Sequence, residues 1–188
     1  MRVLVLGLLF FISSISYAAD YDIDVDKAHA FIDFRIQHLG FSWMSGRFNT
    51  FSGYFSYDEN KPSESYVEVT IDTASIDTNH AERDKHLRGY QYLNVKKFPK
   101  AHFVSTSFEE KADGMAIMWG DFTFFGVTKP LKIEVEHVGH GKDPWFGHRR
   151  GFVGTTKFRM SDYGMDIDQL GPASQIIYLT LSVEGIRR

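Results

Sequence analysis

Hydrophobic and polar residues alternate along most of the chain beyond its first twenty residues. In the segment AFIDFRIQH, every second residue from Ala30 to His38 falls on one mainly apolar face. The same period of two recurs at 66–72, 117–125, 131–136 and 177–184. This period is typical of β-strands that bury one face, and turn signals rich in Gly and Pro separate the runs. The pattern predicts about eight antiparallel strands joined by hairpins in one all-β domain.

Only the region 78–95 departs from this alternation. The stretch TNHAERDKHLR contains Asn79 followed three positions later by Glu82, a capping-box arrangement that predicts Asn79 as the N-cap of a helix. Gly89 is a residue type that commonly ends helices. The sequence therefore predicts a two-turn helix within an insert of about residues 79–95.

The length of the predicted strands, each with one apolar and one charged face, favours a closed barrel over a two-sheet sandwich. The chain has 17 phenylalanines, an outlying count that must line something, and the apolar face is rich in them. Small residues interrupt the apolar face at Gly53, Gly120, Gly154 and Ser105. Because an eight-stranded barrel can be filled by its own side chains or can hold one small ligand, alternation leaves a solid core and a cavity equally open.

The N-terminal segment MRVLVLGLLFFISSISYAAD has the features of a secretory signal peptide. Arg2 precedes an apolar run from Val3 to Ile15, and Ser16 and Ala18 put small residues at the two cleavage-site positions. We therefore predict cleavage after Ala18, which leaves one exported domain at 19–188. No later segment is long and apolar enough to predict a membrane span.

Composition narrows the function classes further. The chain has no cysteine, which excludes disulfides, thiolate metal sites and cysteine nucleophiles. Its formal net charge of −3 predicts no electrostatic attraction of the whole protein to nucleic acid or to an anionic membrane.

Two groups of histidines resemble metal sites without meeting their requirements. On the predicted helix, His80 pairs with Asp84 and Glu82 with His86, but the HExxH spacing is absent and basic neighbours compete for the carboxylates. The second group consists of His137, His140 and His148. These residues flank a glycine-rich loop, which rarely orients ligands without supporting carboxylates. The sequence predicts no metal site and favours a structural role for the charged helix.

No catalytic constellation is visible in the sequence. It lacks a GxSxG nucleophile elbow, and GFVGTTK does not have the spacing of a phosphate-binding loop. His38 lies on the apolar face of its strand, where it is either a hydrogen-bonded core residue or a polar anchor within a ligand cavity.

Several motifs together resemble those of the YceI family. The chain contains F-x-I-x-H-x-G within IDFRIQHLGF, R-D-x-H-L within TNHAERDKHLR, and G-V-T-K-P within GDFTFFGVTKPL, followed by LGPASQ. The resemblance spans the whole domain and implies an eight-stranded antiparallel lipocalin-like barrel with a helical insert, located in the periplasm. It further implies a hydrophobic pore that binds a long-chain amphiphile such as a polyisoprenoid, an isoprenoid quinone or its precursor, or a fatty amide. Gln91 and Met160 depart from the pattern common in the family, so no head-group preference is carried over.

The resemblance, combined with strand parity, implies which residues line the pore and which hold the helix. The expected lining residues are Phe34, Ile36, His38, Phe48, Phe51, Val69, Ile71, Phe103, Phe122, Phe124, Ile133, Val135, Phe158, Leu179 and Leu181. The expected anchors of the helix are Arg83, Asp84, His86 and Leu87, with Leu87 and Tyr90 covering the apolar lining.

Expectations about activity and partners follow the same resemblance. We expect a lipid-binding protein rather than an enzyme, with no required cofactor and with a homodimer as one compatible assembly. The alternatives are an enzyme that acts on an isoprenoid head group and a non-binding stress or adhesion barrel with a filled interior.

Overall fold

The computed structural model describes residues 18–188, so the predicted signal peptide lies outside the described residues except for Ala18. The described part contains eleven β-strands: β1 (Ala19–Ile23), β2 (Phe31–His38), β3 (Ser42–Phe48), β4 (Phe51–Tyr57), β5 (Tyr66–Asp72), β6 (Ile76–Asp77), β7 (Lys100–Glu110), β8 (Met115–Phe124), β9 (Val127–Lys142), β10 (His148–Arg159) and β11 (Ile176–Arg187). One α-helix, α1, spans Ala81–Leu87. Short 3-10 helices lie at Pro62–Glu64, Thr73–Ser75, Met160–Tyr163, Asp168–Leu170 and Pro172–Gln175.

The strands close into a ring of eight positions. β1, β4, β5, β7, β8, β9, β10 and β11 follow one another around the ring, and β11 pairs back onto β1. β2 continues the position of β1, because β11 pairs with β1 over residues 185–187 and with β2 over residues 178–182. Every pairing is antiparallel, and β3 and β6 likewise extend the positions of β4 and β5. The prediction of an eight-stranded antiparallel barrel is confirmed.

The period of two in the sequence corresponds to the inside and outside of this barrel. Along β2, Ile32, Phe34 and Ile36 are buried, whereas the alternating Phe31 and Arg35 are exposed. Glycine is required where an aromatic ring from the adjacent strand packs directly against the backbone. A Cβ on Gly120 would lie 2.3 Å from Cζ of Phe103, so any larger residue there would displace the ring.

The two ends of the barrel differ in construction. One end, here termed the insert end, carries the β2–β3 turn at 39–41, the insert at 78–99, the β8–β9 turn at 125–126 and the segment at 160–175. The opposite end, here termed the hairpin end, carries the loops at 58–65, 111–114 and 143–147. The only α-helix of the described residues therefore lies over one mouth of the barrel.

The predicted N-cap of α1 was wrong by one residue. His80 is the N-cap, and its Nδ1 accepts a hydrogen bond of 3.2 Å from the backbone N–H of Arg83. Asn79 instead adopts a left-handed conformation with φ of 60°, which asparagine tolerates better than most residues, and donates its N–H to Asp77. The helix is two turns long as predicted, and turns form the rest of the insert.

Within residues 18–188, no helix has the length and apolar character that a membrane span requires.

Candidate functional site

The barrel interior contains two adjoining cavities. The larger, of about 430 Å³, lies at the insert end and extends up to α1. The smaller, of about 130 Å³, lies in the half of the barrel nearer the hairpin end. Both are lined by Ile32, Ile71, Phe122 and Leu179. The interior is therefore one apolar tunnel with a waist at these four side chains.

The structure places all fifteen of the predicted lining residues on this tunnel. The insert-end cavity contains Phe34, Ile36, His38, Phe48, Phe124 and Phe158. The hairpin-end cavity contains Phe51, Val69, Phe103, Ile133, Val135 and Leu181. Ile71, Phe122 and Leu179 line both. The residues that strand parity and the family resemblance selected are far apart in the sequence, and the fold brings them together around one tunnel.

Sequence reasoning missed two kinds of lining residue. Val67 and Leu131 line the hairpin-end cavity and were visible as inward members of the alternation. Leu93, Met165 and Leu170 line the insert-end cavity from irregular segments. These three lack any periodic signal, because the segments that contain them are neither strands nor α-helix.

Aromatic side chains narrow the tunnel at the hairpin end. Tyr57 packs against Phe108 and Phe152 at ring-centroid distances of 6.2 and 5.7 Å. The guanidinium of Arg150 lies 4.4 Å from the Tyr57 ring centroid, and the Tyr57 hydroxyl donates to Glu110. Burial and the Glu110 carboxylate raise the pKa of Tyr57 to about 12, so this residue narrows the tunnel as a neutral ring.

The three loop histidines form a stack outside these aromatic side chains. His137 lies 5.1 Å from the Phe152 ring and 5.6 Å from His140, which in turn lies 6.0 Å from His148. Burial lowers the pKa of His137, and the neighbouring Arg150 charge lowers it further. Burial likewise lowers the pKa of His148. The lowered pKa values favour the neutral forms of His137 and His148, and the stack lies outside the aromatic side chains of the hairpin end.

One group of potential metal ligands does converge, but a side chain occupies its centre. Asp24, His29 and Glu184 bring ligand atoms within 4.8 Å of one another, and no other such group exists among residues 18–188. Arg149 donates to Asp24 at 2.7 Å, to Glu184 and to Asp143. These five residues form an ion-pair network that joins β10, β11, the 143–147 loop and the segment between β1 and β2.

Exposed polar residues mark where the insert-end cavity meets solvent. His38, at the end of β2, and His80, Glu82 and His86, on or beside α1, are all exposed and all line this cavity. His38 was expected to be either a hydrogen-bonded core residue or a polar anchor within a ligand cavity. Because it is exposed and lines this cavity, the structure favours the second alternative and places His38 at the mouth. Because His80 Nδ1 accepts from the Arg83 N–H, neutral His80 must carry its proton on Nε2, which leaves Nε2 as a donor.

The charged helix is attached through Thr78. Asp84 is 6% exposed and accepts hydrogen bonds from both the N–H and the hydroxyl of Thr78. Arg83 binds the same residue, donating Nε to the Thr78 hydroxyl and a terminal nitrogen to the Thr78 carbonyl, each at 2.7 Å. Leu87 packs against the core.

Two other expectations for the insert were wrong. Tyr90 is 78% exposed and does not cover the lining, which Tyr92 and Leu93 cover instead. His86 makes no side-chain hydrogen bond to the rest of the described chain, and it lies at the cavity mouth rather than acting as an anchor. The insert therefore consists of a buried attachment at Thr78 and a polar face at the mouth.

Comparisons with known proteins agree with this architecture. The profile of the YceI-like domain matches residues 23–185. A UPF0312 protein from Shewanella sp. strain W3-18-1 is 52% identical over 183 residues, which cover 97% of this chain and 95% of the relative.

Two solved structures extend the comparison to the fold. The YCEI protein of Campylobacter jejuni superposes with a TM-score of 0.71 at 27% identity, covering 81% of this chain and 90% of that one. A polyisoprenoid binding domain from Saccharophagus degradans superposes with a TM-score of 0.65 at 14% identity, covering 92% and 100%. At that lower identity, the second likeness concerns the fold alone.

Proposed function

Because the chain belongs to the YceI-like family, we propose that it binds a long-chain amphiphilic lipid in the tunnel of its barrel. The proposed ligands are a polyisoprenoid, an isoprenoid quinone or its precursor, or a fatty amide. The described neighbour from Saccharophagus degradans, a polyisoprenoid binding domain, supports this class. The signal-like N-terminal sequence supports a periplasmic site of action, where the protein carries or stores the lipid.

The observation that carries the proposal is the open apolar tunnel. The larger cavity, at about 430 Å³, falls within the range of small-molecule sites in proteins. An interior filled by its own phenylalanines, as the non-binding alternative requires, would leave no such space. The rings of Phe34, Phe122 and Phe158 instead stand around the cavity as its wall.

The lining supports a ligand that is recognised mainly by its apolar tail. Each methylene-sized group buried contributes about 0.8 kcal/mol, so a five-carbon prenyl unit contributes about 4 kcal/mol before the entropic cost of binding. This driving force has no directional component, and we therefore propose loose selection among tails. The donor on His80 and the neighbouring His38 and His86 give the mouth its polar contacts for a head group.

We propose a binding role without catalysis. A lipid buried by its tail along the tunnel would present its head group to the mouth, where the exposed histidines stand in contact with solvent. An enzyme acting on that head group would convert a prenyl phosphate or amide during incubation. Recovery of the added lipid unchanged, by mass spectrometry after prolonged incubation with purified protein, is the outcome that the binding role requires.

The proposal is tested by extracting the full-length protein after export from its native host and identifying the bound lipid by mass spectrometry. A matched pair of variants then locates the lipid. Leu179 lies at the waist and points inward, whereas the adjacent Thr180 is exposed on the outside of the same strand. We expect Leu179→Trp to reduce the amount or the chain length of bound lipid and Thr180→Trp to leave both unchanged.

Two outcomes would contradict the proposal. Protein that purifies free of lipid and takes up none from added polyprenyl lipids is not a lipid carrier. Equal lipid content and chain length in Leu179→Trp and in the unmodified protein would place the ligand outside the tunnel.

A further inference from the structure

The β2–β3 turn at the insert end exposes apolar side chains in a strained conformation. Leu39 and Gly40 both have positive φ angles, of 54° and 82°, and the Phe41 N–H donates to the His38 carbonyl at 2.9 Å. A β-turn with positive φ at both central positions favours Asn, Asp or Gly at the position that Leu39 occupies, so leucine there has an energetic cost. Leu39 is nevertheless exposed, and Phe41 is 88% exposed.

A buried residue holds this turn in place. Ser174 donates its hydroxyl to the Gln37 carbonyl at 2.7 Å and accepts from the Leu39 N–H at 3.4 Å. The turn is therefore fixed to the segment at 160–175, and it presents Leu39 and Phe41 to solvent in a set position. Departures from local sequence preference without a packing reason are typical of functional surfaces.

The insert on the other side of the mouth concentrates positive charge. Residues 78–99 contain five basic side chains, Arg83, Lys85, Arg88, Lys96 and Lys97, against the two acids Glu82 and Asp84. The whole sequence has 21 basic and 24 acidic residues, so the rest of the protein is distinctly acidic. Lys96 and Lys97 are exposed, and so is Tyr90 between them and α1.

These two features flank the mouth of the insert-end cavity. His38 lines the cavity and directly precedes the apolar turn, while His80 and His86 line it from the basic insert. Among the acidic side chains of this end, Glu82 lies on α1, and Asp162, Asp166 and Asp168 belong to the segment between β10 and β11, which also holds the apolar turn through Ser174. The basic insert and the apolar turn therefore both border the mouth of the insert-end cavity.

We propose that the rim of the mouth formed by the insert and the β2–β3 turn docks onto the surface of an anionic lipid bilayer. Lys96 and Lys97 contact lipid phosphates, and Phe41 and Tyr90 enter the interfacial region, where aromatic residues are favoured. The mouth then faces the bilayer, so a lipid tail passes between membrane and tunnel without crossing water. The transfer of lipid between membrane and tunnel rests on the proposed function. The docking surface itself is defined by charge and exposure alone.

The test is co-sedimentation of the purified full domain with vesicles. Vesicles of equimolar phosphatidylcholine and phosphatidylglycerol are compared with vesicles of phosphatidylcholine alone, at low and high salt. We expect binding to the anionic vesicles only, weakened by salt. The double variant Lys96→Gln/Lys97→Gln should bind roughly 30-fold more weakly, at about fivefold for each lysine, and Phe41→Ser roughly tenfold more weakly.

The opposite end supplies a matched control. Trp145 and Phe146 are exposed on the 143–147 loop, Phe146 to 98% and with a positive φ of 70°. The variant Trp145→Ser/Phe146→Ser therefore removes as much exposed aromatic surface at the hairpin end. We expect it to bind vesicles as the unmodified protein does, with circular dichroism confirming that every variant is folded.

Three outcomes would overturn the inference. The first is unchanged vesicle binding in the lysine and Phe41 variants. The second is loss of binding in the Trp145/Phe146 variant instead. The third is a dimer by light scattering that Phe41→Ser converts to a monomer, which would make this surface an interface between two copies of the chain. Lipid extraction separates this inference from the proposed function, because lipid-loaded protein that ignores vesicles contradicts docking alone, and lipid-free protein that binds vesicles contradicts lipid binding alone.

Discussion

Replacing Asp84 with alanine tests whether α1 is a structural element or part of the binding site. The Asp84 carboxylate accepts from the Thr78 N–H at 3.0 Å and from the Thr78 hydroxyl, and Thr78 is only 5% exposed. The substitution removes the acceptor and leaves a buried backbone N–H without a partner. It leaves the lining of the tunnel intact, because Asp84 does not border either cavity.

The size of the effect follows from these contacts. A buried donor left unsatisfied costs about 1–3 kcal/mol, and a hydrogen bond to a charged group is worth about 1.5–3 kcal/mol. Allowing for overlap between the two, we expect Asp84→Ala to lower the free energy of unfolding by about 2–4 kcal/mol. For a domain of this size, that corresponds to a fall in Tm of roughly 5–15 °C.

The assay combines thermal melting by circular dichroism with lipid quantification at a temperature where the variant is folded. Lys85→Ala, one residue away, is the control for stability, because Lys85 is exposed and pairs with Glu82 only at 3.8 Å. Such a surface pair contributes less than about 1 kcal/mol, so its Tm should hardly change. If Asp84→Ala melts like the unmodified protein but has lost its lipid, α1 is a binding element and the structural interpretation is wrong.

Two further predictions concern the barrel wall and the hairpin end. Gly120→Ala should destabilise the protein by about 1–3 kcal/mol, since its Cβ would meet both the Phe103 ring and the Val104 carbonyl. Gly139→Ala, which meets nothing within 4 Å, should change stability by less than about 0.5 kcal/mol; equal effects in denaturant titrations would contradict the crowding argument. His137 has a pKa below its ordinary 6.5 in the folded state, so the unfolded chain binds more protons and stability should decline as pH falls below 6.5. His137→Phe should make unfolding free energies less dependent on pH between about pH 7 and about pH 5, and an unchanged slope would show that this ring is not among the groups responsible.

The barrel and its lining could be predicted from the sequence because strand geometry imposes a strict period of two. Once one inward residue of β2 is known, Phe34 and Ile36 follow from geometry alone. Phe48 and Phe51 are three positions apart and yet both line the tunnel, because the strand alternation is interrupted between β3 and β4. That assignment depended on the family resemblance as well as on parity.

The details of the insert could not be predicted because they are decided by tertiary contacts. Asn79 and His80 are both able to cap a helix, and only the folded chain shows that Asn79 takes the left-handed position and His80 the cap. Asp84 was expected to be an anchor, but nothing in the sequence marks Thr78 as its buried partner. Tyr90 illustrates the converse case, in which an aromatic residue expected to cover the core lies in solvent.

The waist between the two cavities affects how binding affinity depends on the length of the lipid tail. A short tail fits entirely within the insert-end cavity and makes no contact with the hairpin-end cavity. A longer tail must displace the waist side chains Ile32, Ile71, Phe122 and Leu179 before it reaches the hairpin-end cavity. Affinity would then rise with each added carbon, pause, and rise again. A barrel built in this way discriminates between ligands by tail length in two steps, and it does so by shape alone.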